Sequence, residues 1–501
     1  MWLGPGMAAS VTCAGGNRNA LCCSGGNGIP DGPPGYLPSV MRRGLLVAAI
    51  VGSIALGSLM ALPAMQPAAG PGRVTGMASP PLSPVSPAAS GSASPSPSAA
   101  PTARPSLPPP IGLTLTKRVV TELQKSLDEL RVEHGIPGVS VAIVFEDGST
   151  WTGVSGLADV KAKRRVTPDT AFAIASITKT FTAALVLDLA AEGRLGLADA
   201  ATEYLPEQKM LAGITIRMLL DHTSGLRDYF EHPKIDQALL AEPARGWSPT
   251  RTLGYVGKRY FPPGTDWRYS NTNYLFLALI AERIDGRPLA EQLRERYFEP
   301  FGLKSAFYQG AERPAGATAH GYRFTGLRKD LPPIDLADGT GVMPFTSVVT
   351  AAGGGGSVAA SALDTARWAR ALYGGRALDS GSLGLMLGGF DLVAGYKPSV
   401  PYGLGVQALD VNGLRTLGHS GRFLGFRAVV RYLPEKDIAI AVLTNQSRAD
   451  PGIIVAKLLR IVVPPPGPCG LPALPGDRRD GRHLERRVEL GVTNCLIRGY
   501  E

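Results

Sequence analysis

The sequence predicts an α/β (α+β) domain in which one antiparallel sheet is flanked by N- and C-terminal helices and an all-helical lobe is inserted. Strand patterns occur near both ends of residues 111–463, and helix patterns fill the middle. A sheet assembled from both ends buries its faces if the first and last helices pack on it. The apolar content of 44% suits a core of this kind.

Apolar periodicity and turn residues define the elements of the first half. Four apolar residues at helical spacing predict the first helix, which ends before Gly135: Val119, Leu123, Leu127 and Leu130. Residues 139–145 and 149–156 are predicted strands joined by a turn at Asp147-Gly148. The apolar segment 171–193 predicts a buried helix that Ser176 opens and Gly193 ends.

The second half continues with helices and returns to strands. The predicted helices cover residues 214–220, 273–284, 289–298, 362–373 and 453–461. The predicted strands cover residues 402–409, 415–418, 426–433 and 438–444. The stretch His419-Ser420-Gly421 therefore falls between two strands, in a predicted turn.

Composition excludes several classes of function. The net charge of +10 comes from 51 basic and 41 acidic residues without a long basic run, so we expect no nucleic-acid partner. None of the five cysteines lies between residues 111 and 463, and no His-Glu-x-x-His motif occurs. We therefore expect neither a metal nor another cofactor.

The composition of the flanks predicts export. Residues 1–40 are expected to be a disordered extension, and whether they belong to the native protein is open because Met41 is an alternative start. Two arginines and an apolar run make residues 41–64 a predicted signal peptide or, if uncleaved, a membrane anchor. A Pro/Ala/Ser-rich linker at 65–110, the folded domain at 111–463 and a disordered tail at 464–501 complete the prediction.

Ser176 and Lys179 form a Ser-x-x-Lys pair at the start of the predicted buried helix. Residues three apart share a helix face, so the hydroxyl and the amine can meet. A serine nucleophile needs a base, and burial lowers the pKa of a lysine enough for it to act as one. Alone the motif is weak evidence, because many helices carry it on a solvated face.

Two later stretches strengthen this interpretation. Tyr269-Ser270-Asn271 directly precedes a predicted helix, and His419-Ser420-Gly421 precedes a late strand. Each also has an ordinary structural explanation: Ser270 or Asn271 as a helix cap, and His419 as a loop histidine.

Ser-x-x-Lys, Tyr-x-Asn and His-x-Gly in this order resemble the signature of the penicillin-recognising serine hydrolases, in the branch of class C β-lactamases, D-alanyl-D-alanine carboxypeptidases and related esterases. The resemblance covers residues 111–459 and implies a β-lactamase/transpeptidase-like fold. It also implies the following site residues: Ser176 as nucleophile; Lys179, Tyr269 and His419 in proton transfer; Asn271, Ser420 and Gly421 at the substrate; and the N–H groups of Ser176 and Arg422 as the oxyanion hole.

The charges expected around Tyr269 favour its phenolate. Lys179 and a protonated His419 would both stabilise that form and make Tyr269 a better base. Arg422 departs from the family pattern, which usually has a small residue there; its side chain either binds a carboxylate, blocks the cleft or points to solvent. His222 is predicted to be structural despite its place in a His-Thr-Ser-Gly loop.

Several activities fit this site. The expected function is that of an exported, monomeric D-alanyl-D-alanine carboxypeptidase acting on cell-wall peptides through an acyl-enzyme. The alternatives are a class C-like β-lactamase, a short-chain esterase and, least favoured, a non-catalytic penicillin-binding protein. The expected substrates are accordingly a D-Ala-D-Ala peptide, a β-lactam or an ester.

Overall fold

The computed structural model describes three ranges of the chain, residues 115–324, 333–388 and 401–464. The predicted extension, the apolar segment 41–64, the linker and nearly all of the tail lie outside these ranges. In the part of the chain that is described, no helix combines the length and apolar character needed to cross a membrane.

Twelve strands lie within the three described ranges. They are β1 (Gly138–Val144), β2 (Thr150–Asp159), β3 (Arg164–Arg165), β4 (Phe172–Ala173), β5 (Phe307–Tyr308), β6 (Tyr322–Arg323), β7 (Ile334–Asp335), β8 (Val358–Ala360), β9 (Gln407–Val411), β10 (Leu414–Phe423), β11 (Phe426–Leu433) and β12 (Ile438–Thr444). Seven of them make the main sheet, in the order β3-β2-β1-β12-β11-β10-β9.

Twelve α-helices lie within the described residues. They are α1 (Lys117–Glu133), α2 (Thr178–Ala191), α3 (Ala201–Tyr204), α4 (Ile216–Leu220), α5 (Ile235–Ala241), α6 (Pro249–Leu253), α7 (Asn271–Asp285), α8 (Leu289–Leu293), α9 (Thr346–Ala352), α10 (Ala362–Tyr373), α11 (Ser380–Leu387) and α12 (Gly452–Val462). The predicted helix at 289–298 is α8 followed by a π-helical turn, Arg294–Phe298.

The N- and C-terminal parts of the domain meet in the centre of the sheet. β1 pairs antiparallel with β12, with Val139 opposite Thr444 and Val141 opposite Val442. Both strands are buried along their whole length because helices cover both faces. α1 and α12 pack on one face and α10 on the other. The predicted sheet, formed from both ends and flanked by the terminal helices, is confirmed.

The nucleophile region differs in detail from the predicted helix. Ser176 lies in a 3₁₀ turn, Ala175–Ile177, and the α-helix begins at Thr178. Ala175 has a φ of 48°, which is uncommon for a residue with a side chain. This left-handed residue bends the chain between β4 and α2, so that Ser176 stands at the start of the helix instead of within it.

One side chain and two backbone groups on three other elements fix α2 in the interior. Trp368 of α10 stacks on Phe181 with ring centroids 4.0 Å apart, and its Nε1 donates to Thr180 Oγ1 at 2.8 Å. Thr182 Oγ1 donates to the carbonyl of Gly354 at 2.7 Å, and Thr178 Oγ1 accepts from the N–H of Val358 at 3.0 Å. These contacts hold the helix that follows Ser176 in one position.

Two predictions about the second half of the chain were wrong. Residues 419–421 are not a turn, because β10 continues to Phe423 and the hairpin turn is Leu424-Gly425. Glycine at 421 suggested a turn, but it serves a close contact within a strand, described below. The inserted lobe also contains a small sheet, β4-β8-β5, and is therefore not all-helical.

The packing of Trp368 yields a prediction about stability. Trp368→Ala removes the stacked ring and the bond to Thr180, so we expect a loss of about 3–5 kcal/mol in the free energy of unfolding. Urea unfolding measures this loss. Val132→Ala is the control, because Val132 is 65% exposed and its change should stay within about 0.5 kcal/mol. Equal unfolding midpoints for the two variants would show that the stack contributes nothing.

Candidate active site

Ser176 and Lys179 are adjacent at the start of α2. Lys179 Nζ lies 3.2 Å from Ser176 Oγ, which is hydrogen-bonding distance. Ser176 is partly exposed, whereas Lys179 is completely buried. The hydroxyl is therefore open to a substrate on one side and in contact with a dehydrated amine on the other.

Three acceptors from three segments surround the amine of Lys179. Besides Ser176 Oγ, they are Asn271 Oδ1 at 2.7 Å and the carbonyl oxygen of Gly355 at 2.7 Å. Burial lowers the pKa of Lys179 to about 7, and the negative charge of Asp228 opposes this shift. The neutral amine can donate to Asn271 and Gly355 while its lone pair faces Ser176, which is the geometry of a general base.

Asn271 is held between Lys179 and a buried carboxylate. Its Nδ2 donates to Asp228 Oδ2 at 2.7 Å, and its own N–H donates to the same oxygen at 3.1 Å. Asn271 therefore positions the lysine. Its Nδ2 carries two hydrogens and donates one of them to Asp228, so the contact from its amide to a substrate stays a prediction. Burial raises the pKa of Asp228, an effect that these N–H donors and that of Phe230 oppose.

Tyr269 reaches Ser176 from the loop before α7. Its hydroxyl interacts with the Ser176 side chain, and its ring centroid lies 5.0 Å from Lys179 Nζ. Burial raises the pKa of Tyr269 above its ordinary value. The predicted phenolate is therefore wrong for this structure: at neutral pH Tyr269 is a phenol, which can give a proton but does not take one.

His419 is buried and neutral. Its Nδ1–H donates to the carbonyl of Ser420 at 2.7 Å, so its Nε2 accepts from the Tyr402 hydroxyl at 3.0 Å. Burial lowers the pKa of His419 to about 3, and the charge of Lys179 adds to this shift. The predicted imidazolium is wrong because a second cation is costly beside Lys179 in this dehydrated region. The ring lies 6.4 Å from that of Tyr269, between centroids.

Gly421 brings β10 against the 3₁₀ turn Ala175–Ile177, which carries Ser176 and is called the nucleophile turn below. A Cβ at this position would lie 2.1 Å from the carbonyl oxygen of Ile174, so a residue with a side chain does not fit. This close approach places β10 beside Ser176.

The strand register directs the N–H of Arg422 away from β11. Phe423 and Phe426 flank a two-residue turn and form a hydrogen-bonded pair, so the next pair, Arg422 and Arg427, points its N–H groups outward. Ser420 has the same orientation, and its N–H donates to Gln407 Oε1 on that side at 3.0 Å. β9 pairs with β10 only as far as Gly418, which leaves the Arg422 N–H on an open edge.

These groups line one cavity of about 520 Å³. Its wall contains Ser176, Tyr269, Asn271 and residues 419–422. Ser420 and Arg422 are exposed, and their side chains lie on the face of the sheet opposite His419 because strand residues alternate. Arg422 therefore does not block the space beside Ser176.

His222 supports Tyr269 from behind. Its Nδ1 accepts from the N–H of Ser270 at 3.3 Å and pairs with Asn273 Nδ2 at 3.0 Å, and its ring centroid is 4.4 Å from that of Tyr269. Burial lowers the pKa of His222 well below its ordinary value. His222 is thus a neutral, fully buried imidazole that packs on Tyr269, which agrees with the prediction that it is structural.

Sequence reasoning missed two members of the site, Asp228 and Gly355. Asp228 is an isolated loop aspartate, and no local pattern marks it. Gly355 belongs to the run Gly353–Gly356, a visible signal whose meaning depends on packing: a Cβ on Gly355 would lie 3.3 Å from Lys179 Nζ, and one on Gly354 would lie 2.8 Å from the Tyr274 carbonyl. The run permits the backbone to reach the lysine.

One group of side chains among the described residues has the composition of a metal site. It consists of Asp159, His320 and Asp335, which are not buried. His320 Nδ1 lies 2.8 Å from Asp335, and its Nε2 lies 3.7 Å from Asp159. Hydrogen bonding between His320 and Asp335 accounts for their contact, so this cluster does not indicate a metal centre.

A family comparison agrees with this geometry. The family model described as beta-lactamase matches residues 117–462, which include every site residue above. The chain belongs to the beta-lactamase family. Its members share a serine hydrolase fold, and the predicted β-lactamase/transpeptidase-like architecture is confirmed.

The curated relatives that this chain matches include D-aminopeptidases. A D-aminopeptidase of Brucella ovis is 28% identical over 351 residues, which is 68% of this chain and 62% of that protein. The beta-lactamase-family chain thus spans less than two thirds of the length of this curated relative.

Solved structures of similar proteins cover the domain more fully. A D-stereospecific amidohydrolase from Streptomyces sp. is 27% identical with a TM-score of 0.58, covering 67% of this chain and 97% of its own. A D-amino acid amidase from Ochrobactrum anthropi SV3, complexed with L-phenylalanine amide, is 25% identical with a TM-score of 0.59, covering 69% and 99%.

The contact between Asp228 and the lysine predicts a pH effect. Asp228→Asn removes the charge that raises the pKa of Lys179, so this pKa should fall below about 7. The free amine then forms at lower pH, and we expect the acidic limb of kcat/KM for a short-chain ester to move down by about one pH unit.

The matched control is Asp410→Asn, which removes an exposed carboxylate from β9. Its pH profile should coincide with that of the parent protein. An unmoved acidic limb in Asp228→Asn, in a protein with the parent unfolding midpoint, would contradict the proposed electrostatic link.

Proposed function

We propose that this chain is a serine hydrolase that cleaves amide bonds of D-configured amino acids or peptides through an acyl-enzyme on Ser176. The observation that carries the proposal is the position of Ser176 Oγ, in contact with both a buried amine of pKa about 7 and a phenol. Similar proteins are a D-aminopeptidase, a D-stereospecific amidohydrolase and a D-amino acid amidase, and their names support the substrate class.

Acylation uses the two groups that touch Ser176. Its Oγ attacks the carbonyl carbon, and the hydroxyl proton passes to Lys179 Nζ. The carbonyl oxygen becomes an oxyanion between the N–H groups of Ser176 and Arg422. Tyr269 then donates its proton to the leaving nitrogen as the C–N bond breaks, and the proton on Lys179 returns to the phenolate, so that the site is neutral again.

Deacylation reverses these roles. Water occupies the place of the departed amine and gives a proton to the neutral amine of Lys179 as its oxygen attacks the acyl carbon. As the Ser176 Oγ–acyl bond breaks, Lys179 gives this proton to Ser176 Oγ, and both residues return to their starting states. Asn271 and Asp228 keep the amine aimed at Ser176 throughout, because they hold it from the opposite side.

The D-alanyl-D-alanine carboxypeptidase predicted from sequence remains a narrower form of this proposal. β-Lactam and ester hydrolysis differ from it in how fast water clears the acyl-enzyme. We also propose that the protein is exported, on the basis of the composition of residues 41–110.

Ser176→Ala is the decisive variant. It should lose about a million-fold in hydrolysis of any substrate, because without the nucleophile the lysine and the tyrosine have no acyl-enzyme to form or clear. Labelling by a fluorescent penicillin should also disappear. Ser149→Ala, outside the cavity lining, should retain both. Labelling that survives in Ser176→Ala would show that another residue is the nucleophile.

A substrate panel on one preparation tests specificity. We expect D-phenylalanine amide to be cleaved at least about a hundred-fold faster than its L enantiomer, because a rigid site that aligns the carbonyl for one hand misplaces it for the other. A D-Ala-D-Ala peptide, nitrocefin and a short-chain ester complete the panel. Equal rates for both enantiomers would overturn the D-specific proposal and leave the acyl-enzyme proposal intact.

A further inference from the structure

The edge of β10 beside the nucleophile turn is only partly covered by its neighbour. β9 pairs with β10 from Leu414 to Gly418 and no further. Gly418 forms a hydrogen-bonded pair with β9, because it lies four residues beyond Leu414, which closes the two-residue turn between these strands. The next residues with this orientation are Ser420 and Arg422. Their main-chain groups face an uncovered edge, to which an extended substrate could add as a strand.

The coverage ends at Gly418 because the chain enters β9 only at Gln407. The residues before it form a tight loop in which Gly405 has a φ of 79°. A Cβ on Gly405 would lie 2.5 Å from the Cβ of Ala183 in α2, so this loop packs against that helix. Gln407 is therefore the first residue of β9 and stands where the uncovered edge of β10 begins.

Both main-chain groups of Ser420 are already bonded within the protein. The Ser420 N–H donates to Gln407 Oε1 at 3.0 Å, and its hydroxyl donates to the same oxygen at 3.2 Å. Its carbonyl oxygen accepts from His419 Nδ1 at 2.7 Å. An added strand would therefore find neither a free donor nor a free acceptor at Ser420.

The side chain of Gln407 is held in place from behind. Its Oε1 also accepts from Arg431 Nη2 at 3.2 Å, and Arg431 is buried under the same face of the sheet. A side chain fixed at two points loses little further freedom when it bonds to Ser420. The amide oxygen thus stands where the carbonyl of an added strand would lie.

Arg422 keeps its edge groups open. Among the described residues, none bonds to its main-chain N–H or carbonyl oxygen. The N–H is the predicted oxyanion donor, and the carbonyl can accept from the nitrogen of the same substrate residue. A residue that uses both groups forms an antiparallel hydrogen-bonded pair with Arg422. The first residue after the bond that is cleaved then lies opposite Gly421, and the second lies opposite Ser420.

We propose that Gln407 closes the sheet edge at Ser420 and thereby limits the leaving group to at most one residue. The inference rests on the proposed acyl-enzyme chemistry of Ser176 and narrows its substrates to D-amino acid amides and peptides cleaved before their last residue. A longer leaving group gains no hydrogen bond at Ser420 and has to displace the Gln407 side chain. Gln407 is therefore a specificity-determining residue that acts through Ser420.

Three substrates with one acyl part test this limit. They are D-phenylalanine amide, D-phenylalanyl-D-alanine amide and D-phenylalanyl-D-alanyl-D-alanine amide, which have the same charge and differ in the length of the leaving group. Chromatography measures the initial release of D-phenylalanine. In the parent protein, kcat/KM for this release should be at least about three-fold lower for the tripeptide amide than for the dipeptide amide, because the second leaving residue meets the closed edge.

Gln407→Ala opens the edge. The ratio of kcat/KM, tripeptide amide over dipeptide amide, should rise at least about five-fold, because the Ser420 N–H becomes free to pair with the second leaving residue. Gln407→Glu keeps an acceptor for this N–H and should keep the parent ratio. Gln237→Ala is the matched control, since Gln237 is exposed on α5 and lies outside the cavity lining, and it should also keep the ratio.

An unchanged ratio in Gln407→Ala, or a parent protein that prefers the tripeptide amide, would overturn the proposal. If Gln407→Ala fails to fold, Gln407→Asn replaces it, because its side chain keeps an amide but is one methylene too short to reach Ser420. Turnover of a short-chain ester reports the acyl-enzyme chemistry separately. Its absence in the parent protein would contradict the proposed function, whereas normal ester turnover with an unchanged ratio contradicts only the closed edge.

Discussion

The buried amine of Lys179 is the constraint on which the rest of the site depends. Removing an ammonium from water is expensive unless acceptors replace its hydration shell. Here the acceptors come from the nucleophile turn, from the first residue of α7 and from the backbone at Gly355. These acceptors replace the hydration of the ammonium only in part. The pKa of Lys179 is therefore lowered to about 7. A better-solvated lysine would be a permanent cation and could not take a proton from Ser176.

Because the acceptors must converge on one atom, the packing around Lys179 leaves little freedom. Glycines at 354 and 355 let the chain approach α2 and α7 closely, where a Cβ would meet Tyr274 and Ala278. Two further bonds hold α2 in place: Thr182 Oγ1 donates to the Gly354 carbonyl, and Trp368 Nε1 donates to Thr180 Oγ1. The two parts of the domain that carry Ser176 and Asn271 are therefore fixed to each other through the lysine and the glycine run.

Sequence reasoning found the elements and most of the residues that meet at Ser176, but not their protonation states. Periodicity predicts α1, α7 and α10 because each has a distinct buried face or a clear cap, such as Gly286 with its φ of 76°. It cannot show that a glycine marks a turn at position 425 but a close contact between β10 and the turn carrying Ser176 at position 421. It also cannot show that Tyr402 occupies Nε2 of His419, or that Asp228 stands behind Asn271. Charge on a buried histidine depends on such distant partners, which no local pattern contains.

The two faces of β10 present different groups to the cavity. His419 and Gly421 face the side of Tyr269 and the nucleophile turn, where a second cation would raise the cost of protonating Lys179. Ser420 and Arg422 face the opposite side with Arg427 and Arg431, where positive charge is separated from the lysine by the strand itself. A cation beside Lys179 would lower its pKa further, as Lys179 does to His419. Placing the guanidinium groups on the other face keeps their charge away from Lys179, so that the base keeps a pKa suited to neutral pH.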